Sequence, residues 1–166
     1  EHALSDFPGR QALIDAIDAA VAHDGHEAIG HALAQSLEAL IRSRTLQLPP
    51  VVLEPVGDHY ARRLLYRSPT HGYVVIAMTW GAGQGTPIHD HDGMWGVEGV
   101  CHGHIEVIPY RVASRAGDRW RFEPQAPILA GLGETACVFP PADHHVIRNA
   151  GVDDVAVSLH IYEHDM

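Results

Sequence analysis

The sequence predicts a mainly β protein, a barrel of short strands with two α-helices packed on it at the N-terminal side. Three observations predict it. Up to Leu48 the apolar residues recur at three- and four-residue intervals. From Val51 onward they fall instead in short runs, rich in β-branched and aromatic residues and separated by Gly, Pro and Asp clusters. Pro49-Pro50 divides the two textures, because proline cannot continue a helix and restricts the residue before it. Regularly spaced short strands argue for a barrel or sandwich over a doubly wound sheet. With 166 residues, 46% of them apolar, the chain suffices for one buried core. A single domain over 1–166 is therefore expected, its helical part at 1–48 and its barrel at 51–166.

The first helix is placed from Gln11 to Val21, with Leu13, Ile14, Ile17, Ala20 and Val21 on one face. The second follows Gly25 and aligns Ile29, Leu33, Leu37, Leu40 and Ile41. Strands are expected at Ala61 to Tyr66, Tyr73 to Trp80, Trp95 to Cys101, His104 to Tyr110, Trp120 to Pro124, Ala136 to Phe139, His145 to Asn149 and Asp154 to Tyr162. The breaks near Pro49 and Thr70 read as loops within the one domain.

A formal charge of -10 argues against nucleic acid and anionic membranes as partners, since affinity for either normally needs a basic surface. No apolar run approaches the roughly 20 residues that span a bilayer, and no basic start precedes an apolar stretch, so a cytoplasmic protein is expected. The chain begins at Glu1 and not at Met, consistent with a trimmed start. Two cysteines, Cys101 and Cys137, are too few for a disulfide framework and read as free buried thiols. Oligomeric state leaves no signature.

Histidine is unusually frequent, at 14 residues, so position must separate ligands from bystanders. In a strand side chains two apart share a face, so His89 and His91, in Gly83-Gln84-Gly85-Thr86-Pro87-Ile88-His89-Asp90-His91, can reach one point inside a barrel. The spacing alone is weak: His102-Gly103-His104 repeats it without a supporting frame and reads as solvated histidine.

The surroundings of His89 and His91 resemble the first sequence motif of the cupins, double-stranded β-helix or jelly-roll barrels: Gly83, His89, His91 and Gly103 fall at its positions, while Gly96 occupies its acidic position. Pro140, His145 and Asn149 resemble the second motif, with Ala142 where the family has glycine. The four-residue step to Asn149 favours His145 over the adjacent His144. Absence of the acidic residue is similar to the thiol dioxygenase branch of the cupins, which includes cysteine dioxygenase and 3-mercaptopropionate dioxygenase. The similarity extends from about Tyr60 to Tyr162 and includes Trp80 to His91 and Trp95-Gly96-Val97. Ser158-Leu159-His160-Ile161-Tyr162 resembles that branch's Ser-x-His-x-Tyr relay.

The resemblance implies one iron(II) on His89, His91 and His145, with Tyr162, oriented by His160 and Ser158, as a hydroxyl donor beside it. Three neutral imidazoles would leave the ion its full charge and open positions for a thiol and dioxygen. The implied reaction adds both oxygen atoms to sulfur, giving a sulfinate. Tyr60-Ala61-Arg62 resembles the element whose arginine holds the substrate carboxylate in cysteine dioxygenases, so a cysteine-type substrate is favoured; 3-mercaptopropionate and mercaptosuccinate are the alternatives. Arg63 would point to the opposite face. With Gly96 where animal cysteine dioxygenases carry a crosslinked cysteine, no thioether to Tyr162 is expected. Glu98 stands where the family has an apolar residue and shares strand parity with Gly96. It reads either as a solvated or hydrogen-bonded residue or as a contact to the substrate or to groups around the metal. A non-catalytic metal-binding cupin is the reading of another class, and the relay argues against it, because a structural site needs no positioned phenol.

Overall fold

The computed structural model describes residues 6–141 and 143–166; Ala142, the departure from the second motif, lies outside the described residues. Two helices, α1 (Arg10–Ala20) and α2 (His26–Arg42), are followed by a 3-10 turn at Pro50–Leu53. Nine strands come next: β1 (Ala61–Arg67), β2 (Val74–Trp80), β3 (Gly96–His102), β4 (Ile105–Ala116), β5 (Arg119–Pro124), β6 (Ile128–Ala130), β7 (Thr135–Val138), β8 (His145–Arg148) and β9 (Ala156–Tyr162). One sheet has the order β1-β2-β9-β3-β7; the other has the order β5-β4-β6, with β8 also pairing β4. All these pairings are antiparallel.

Strand alternation divides the apolar residues into two layers. From β2 and β9, Val75, Ala77, Val157, Leu159 and Ile161 face outward onto Leu13, Ile17, Leu33, Leu37 and Ile41 of the helices. Their neighbours Val74, Ile76, Met78, Trp80, Ala156 and Tyr162 face into the barrel, where they meet Met94, Val100, Ile105, Val138 and Ile147. Both helices thus pack on the outer face of the five-stranded sheet. Leu33 and Leu37 are fully buried there, each worth about 1.5–3 kcal/mol relative to exposure. The same alternation puts Ser158 and His160 on the inner face of β9 with Tyr162.

The expected elements are all present, with ends shifted mainly by one or two residues, and three features differ. The strand placed at His104 to Tyr110 continues as β4 to Ala116, forming a hairpin with β5. The short strand β6 had no expectation: three exposed or half-exposed residues carry too little alternation to declare a strand. Cys101 and Cys137 are free but half-buried, not fully buried. Burial still raises both thiols, Cys101 to about 12.

Candidate metal centre

The two histidine motifs lie alongside one another. Gly83 N–H donates to the Asn149 carbonyl and Asn149 N–H to that of Gln84, both at 2.9 Å, and Thr86 N–H reaches the Ile147 carbonyl at 2.9 Å. His89 and His145 exchange backbone hydrogen bonds at 3.2 and 3.1 Å, so two of the three sequence-assigned ligands face each other directly. Asn149 secures this arrangement by donating its side-chain amide to the carbonyls of Trp80 (3.0 Å) and Asp154 (2.6 Å).

The premise that His89 and His91 share a strand is corrected. Their segment pairs only through isolated bridges at Gly85 and His89. Pro87 has no N–H to continue a ladder, and Gly85 presses so close to Arg148 that a Cβ would lie 2.7 Å from the arginine's Cβ. His91 enters through the turn that follows. Asp92 and Gly93 adopt φ of 51° and 74°, and Met94 N–H closes onto the His91 carbonyl at 3.0 Å.

One ring nitrogen from each of His89, His91 and His145 lies within 4.8 Å of the others. The ring centroids are 4.7–5.1 Å apart and the rings meet edge to face. Nδ1 of His89 is 3.0 Å from the Pro87 carbonyl, which leaves its Nε2 free to face the cluster. Nε2 of His91 and of His145 are buried without a hydrogen-bond partner. Buried polar atoms are rarely left unpaired, and convergent imidazole lone pairs are what a divalent transition metal takes up, so this site fits a metal ion. Burial lowers His145 to about 4 and holds His89 below its ordinary value, although nearby Glu98 works the other way on both. Both rings are thus neutral and able to coordinate at neutral pH.

Ser158, His160 and Tyr162 form a hydrogen-bonded chain with a definite direction. Trp80 can only donate, and its Nε1–H reaches Ser158 Oγ at 2.9 Å. The Ser158 hydroxyl is then left to donate to His160 Nε2 at 2.6 Å, which puts the ring hydrogen on Nδ1. Nδ1–H points at the Tyr162 oxygen, 2.8 Å away, and the Tyr162 hydroxyl donates onward to Glu98 Oε1 at 3.3 Å. Glu98 is buried and directly opposite His160 across β3 and β9. Burial works to raise its carboxyl, yet the nearby rings of His160 and His145, and hydrogen bonding to His160, hold it well below the ordinary value. Burial, followed by the Glu98 charge, raises the Tyr162 phenol well above its own. Glu98 is not solvated: it is buried and hydrogen-bonded, and its partners are groups beside the histidine cluster, so the structure draws on both readings.

A cavity of about 290 Å³ opens beside the cluster, bounded by Tyr60, Arg62, Trp80, His89 and Tyr162 among others. The Tyr60 ring packs against that of Trp80, with centroids 4.8 Å apart. Arg62 is on the cavity wall, where its Nη2 donates to Asp165 Oδ1 at 2.9 Å. Arg63 points away to Thr79 and the Glu54 carbonyl.

Against this geometry, a protein-family model described as cysteine dioxygenase type I matches residues 57–165. The chain belongs to the cysteine dioxygenase type I family. Its fold is that of the cupins. Crystal structures similar to it include TT1209 of Thermus thermophilus, at 19% identity and a TM-score of 0.51 over 70% of this chain and 94% of that one. An RmlC-like cupin of Desulfovibrio desulfuricans is 22% identical, with a TM-score of 0.48 over 72% of this chain and 99% of the other. Membership of the cysteine dioxygenase family supports a dioxygenase with a metal-dependent site.

The histidines that rivalled these ligands in the sequence lie apart from the cluster. His144 turns away from the cluster to lie 3.6 Å from Asp90 and beside the Phe122 ring, at 5.1 Å between centroids. His102 and His104 are exposed. Among the described residues no helix is long and apolar enough to cross a membrane. The partner of Arg62 escaped sequence reasoning because Asp165 is 103 residues away. Trp80 as the head of the relay escaped as well, although its even parity on β2 was available as a signal.

Proposed function

We propose that this chain is an iron(II)-dependent thiol dioxygenase that adds both atoms of dioxygen to the sulfur of a small thiol carboxylate, with a cysteine-type substrate favoured. The single observation that carries this reading is the pair of unpartnered, buried Nε2 atoms of His91 and His145, beside the Tyr162 ring, in a chain of this family. His89, His91 and His145 would hold the metal. A ferrous ion there would favour the thiolate over the thiol and supply the electronic route between sulfur and dioxygen. No separate reductant is required, because the electrons sulfur loses on going from thiol to sulfinate equal those dioxygen accepts.

The chain's own residues bind and orient. Arg62 offers a planar guanidinium to a carboxylate at the cavity wall, and an incoming substrate carboxylate takes the place that Asp165 now occupies. Tyr60 and Trp80 form an aromatic wall that excludes water from one side. Tyr162 holds a proton at its hydroxyl, since burial and Glu98 keep the phenol protonated. His160, fixed in the Nδ1–H tautomer by Ser158, keeps that hydroxyl in place.

The test is anaerobic loading with ferrous iron, addition of dioxygen, and comparison of oxygen uptake with cysteine, 3-mercaptopropionate and mercaptosuccinate, with His145→Ala alongside. Stoichiometric uptake with sulfinate from one thiol, lost in the variant, is expected. Iron-loaded protein that leaves every thiol and dioxygen untouched would overturn the reading.

A further inference from the structure

The acidic residue missing from the first motif has a substitute in space. The motif's own position is closed to any side chain: a Cβ on Gly96 would lie 2.6 Å from Val138 Cγ2 and 2.8 Å from Tyr162 Cδ1. Two residues further along β3, on the same inner face, Glu98 is buried with its carboxylate directed at the histidine cluster. Its Oε1 is 3.5 Å from His91 Nε2 and 3.8 Å from His145 Nε2. Neither nitrogen has a hydrogen-bond partner, so the carboxylate approaches both without bonding to either. Donors about 2.1 Å from one ion stand about 3.0 Å apart at a right angle and about 3.4 Å apart at the tetrahedral angle. The Glu98 oxygen is therefore somewhat farther from these two nitrogens than a neighbouring ligand of one ion would be. Among the described residues the group of donor atoms within 4.8 Å of one another comprises the three histidine nitrogens without Glu98, so Glu98 would have to draw in toward His89 when the site is loaded. Its other polar contacts among the described residues are to Tyr162 and His160, and a carboxylate oxygen can accept those hydrogen bonds while coordinating.

We propose that Glu98 is a fourth, anionic ligand of the metal, taking over from β3 two residues downstream the role that Gly96 cannot fill. This rests on the reading of His89, His91 and His145 as a metal centre, and adds to it a ligand that three neutral histidines lack. An anionic ligand lowers the net charge of the loaded site by one. In an octahedral ion it leaves two open positions where three histidines alone would leave three. It also ties the relay to the metal, because the hydroxyl of Tyr162 then donates to a ligand oxygen.

The proposal is tested by metal binding and by structure, independently of turnover. Ferrous and cobaltous affinities are measured by chelator competition for the native chain, Glu98→Gln, Glu98→Asp, Tyr162→Phe and His145→Ala, with folding checked by circular dichroism. The native, metal-loaded protein is crystallised. Expected are a Glu98 oxygen at about 2.0–2.2 Å from the ion and an affinity loss greater than about tenfold in Glu98→Gln. Glu98→Asp, which keeps the charge but shortens the reach, should lose affinity too, and Tyr162→Phe should not. The crystallographic distance decides if affinity alone is ambiguous or a variant fails to fold. A Glu98 oxygen beyond about 3 Å, outside any coordination distance, overturns the proposal whatever the affinities. If His145→Ala abolishes binding in that case, the histidine centre stands without Glu98. If His145→Ala binds as the native chain does, the histidine centre itself falls, and Glu98 with it.

Discussion

Gly96 and Tyr162 are directly paired across β3 and β9, and the tyrosine ring lies where a Cβ on residue 96 would have to go. Gly96→Ala must therefore shift either Val138 or the Tyr162 ring. The expected cost is about 1–3 kcal/mol of stability, the usual range for overpacking a filled core. Since the displaced ring carries the relay's terminal hydroxyl, turnover should fall more than thermal stability alone explains. Melting curves set beside steady-state kinetics at a temperature where the variant is fully folded check this.

Tyr162→Phe keeps the ring and removes only the hydroxyl between His160 and Glu98. If that hydroxyl acts on substrate or oxygen, kcat should drop about a hundredfold or more, with metal content unchanged. A variant with native kcat would remove Tyr162 from the reaction.

Arg62 and Asp165 form a half-exposed ion pair at the cavity wall, which Arg67 shares from the other carboxylate oxygen. Arg62→Ala should raise KM for a thiol carboxylate with a smaller effect on kcat, while Asp165→Asn, which weakens the competitor, should lower KM. A thiol without a carboxylate, such as cysteamine, should respond to neither. Equal responses with both classes of thiol would show that Arg62 does not hold the carboxylate.

The metal-free protein should lose stability as pH falls from about 6.5 toward 4. Burial lowers His145 to about 4 in the folded chain, against about 6.5 when unfolded. Between those values the unfolded chain binds a proton that the folded chain refuses, so stability rises with pH across the window. The difference corresponds to about 3 kcal/mol from His145. His89 is shifted in the same direction. Glu98, held ionised in the fold, adds a loss of the same sign at lower pH. Denaturant titrations of chelator-treated protein at several pH values read this directly, and a flat profile between pH 6.5 and 4.5 would contradict it.

The parts of this molecule legible in its sequence are those set by local periodicity. The four-residue spacing of Leu33, Leu37 and Ile41 gave the helix face that covers the large sheet. The two-residue spacing of Ser158, His160 and Tyr162 gave one inward face on β9. His145 was separable from His144 because Asn149 fixes the frame, through hydrogen bonds to Trp80 and Asp154. What stayed hidden depends on contacts between distant segments. Parity could place Glu98 toward the cavity, but only the folded pairing of β3 with β9 reveals that His160 lies opposite it and that Gly96 has no room for a ligand. His89 and His91 converge through a bridge and a turn with positive φ, a geometry that His-x-His spacing alone does not encode.

The most direct test of the central claim is turnover of the iron-loaded protein under oxygen-18 gas with the preferred thiol, followed by mass spectrometry of the product. The expected product is a sulfinate carrying two labelled oxygens from a single molecule of dioxygen, formed by the native chain and not by His145→Ala. A disulfide, or a sulfinate labelled at one oxygen or none, would contradict it.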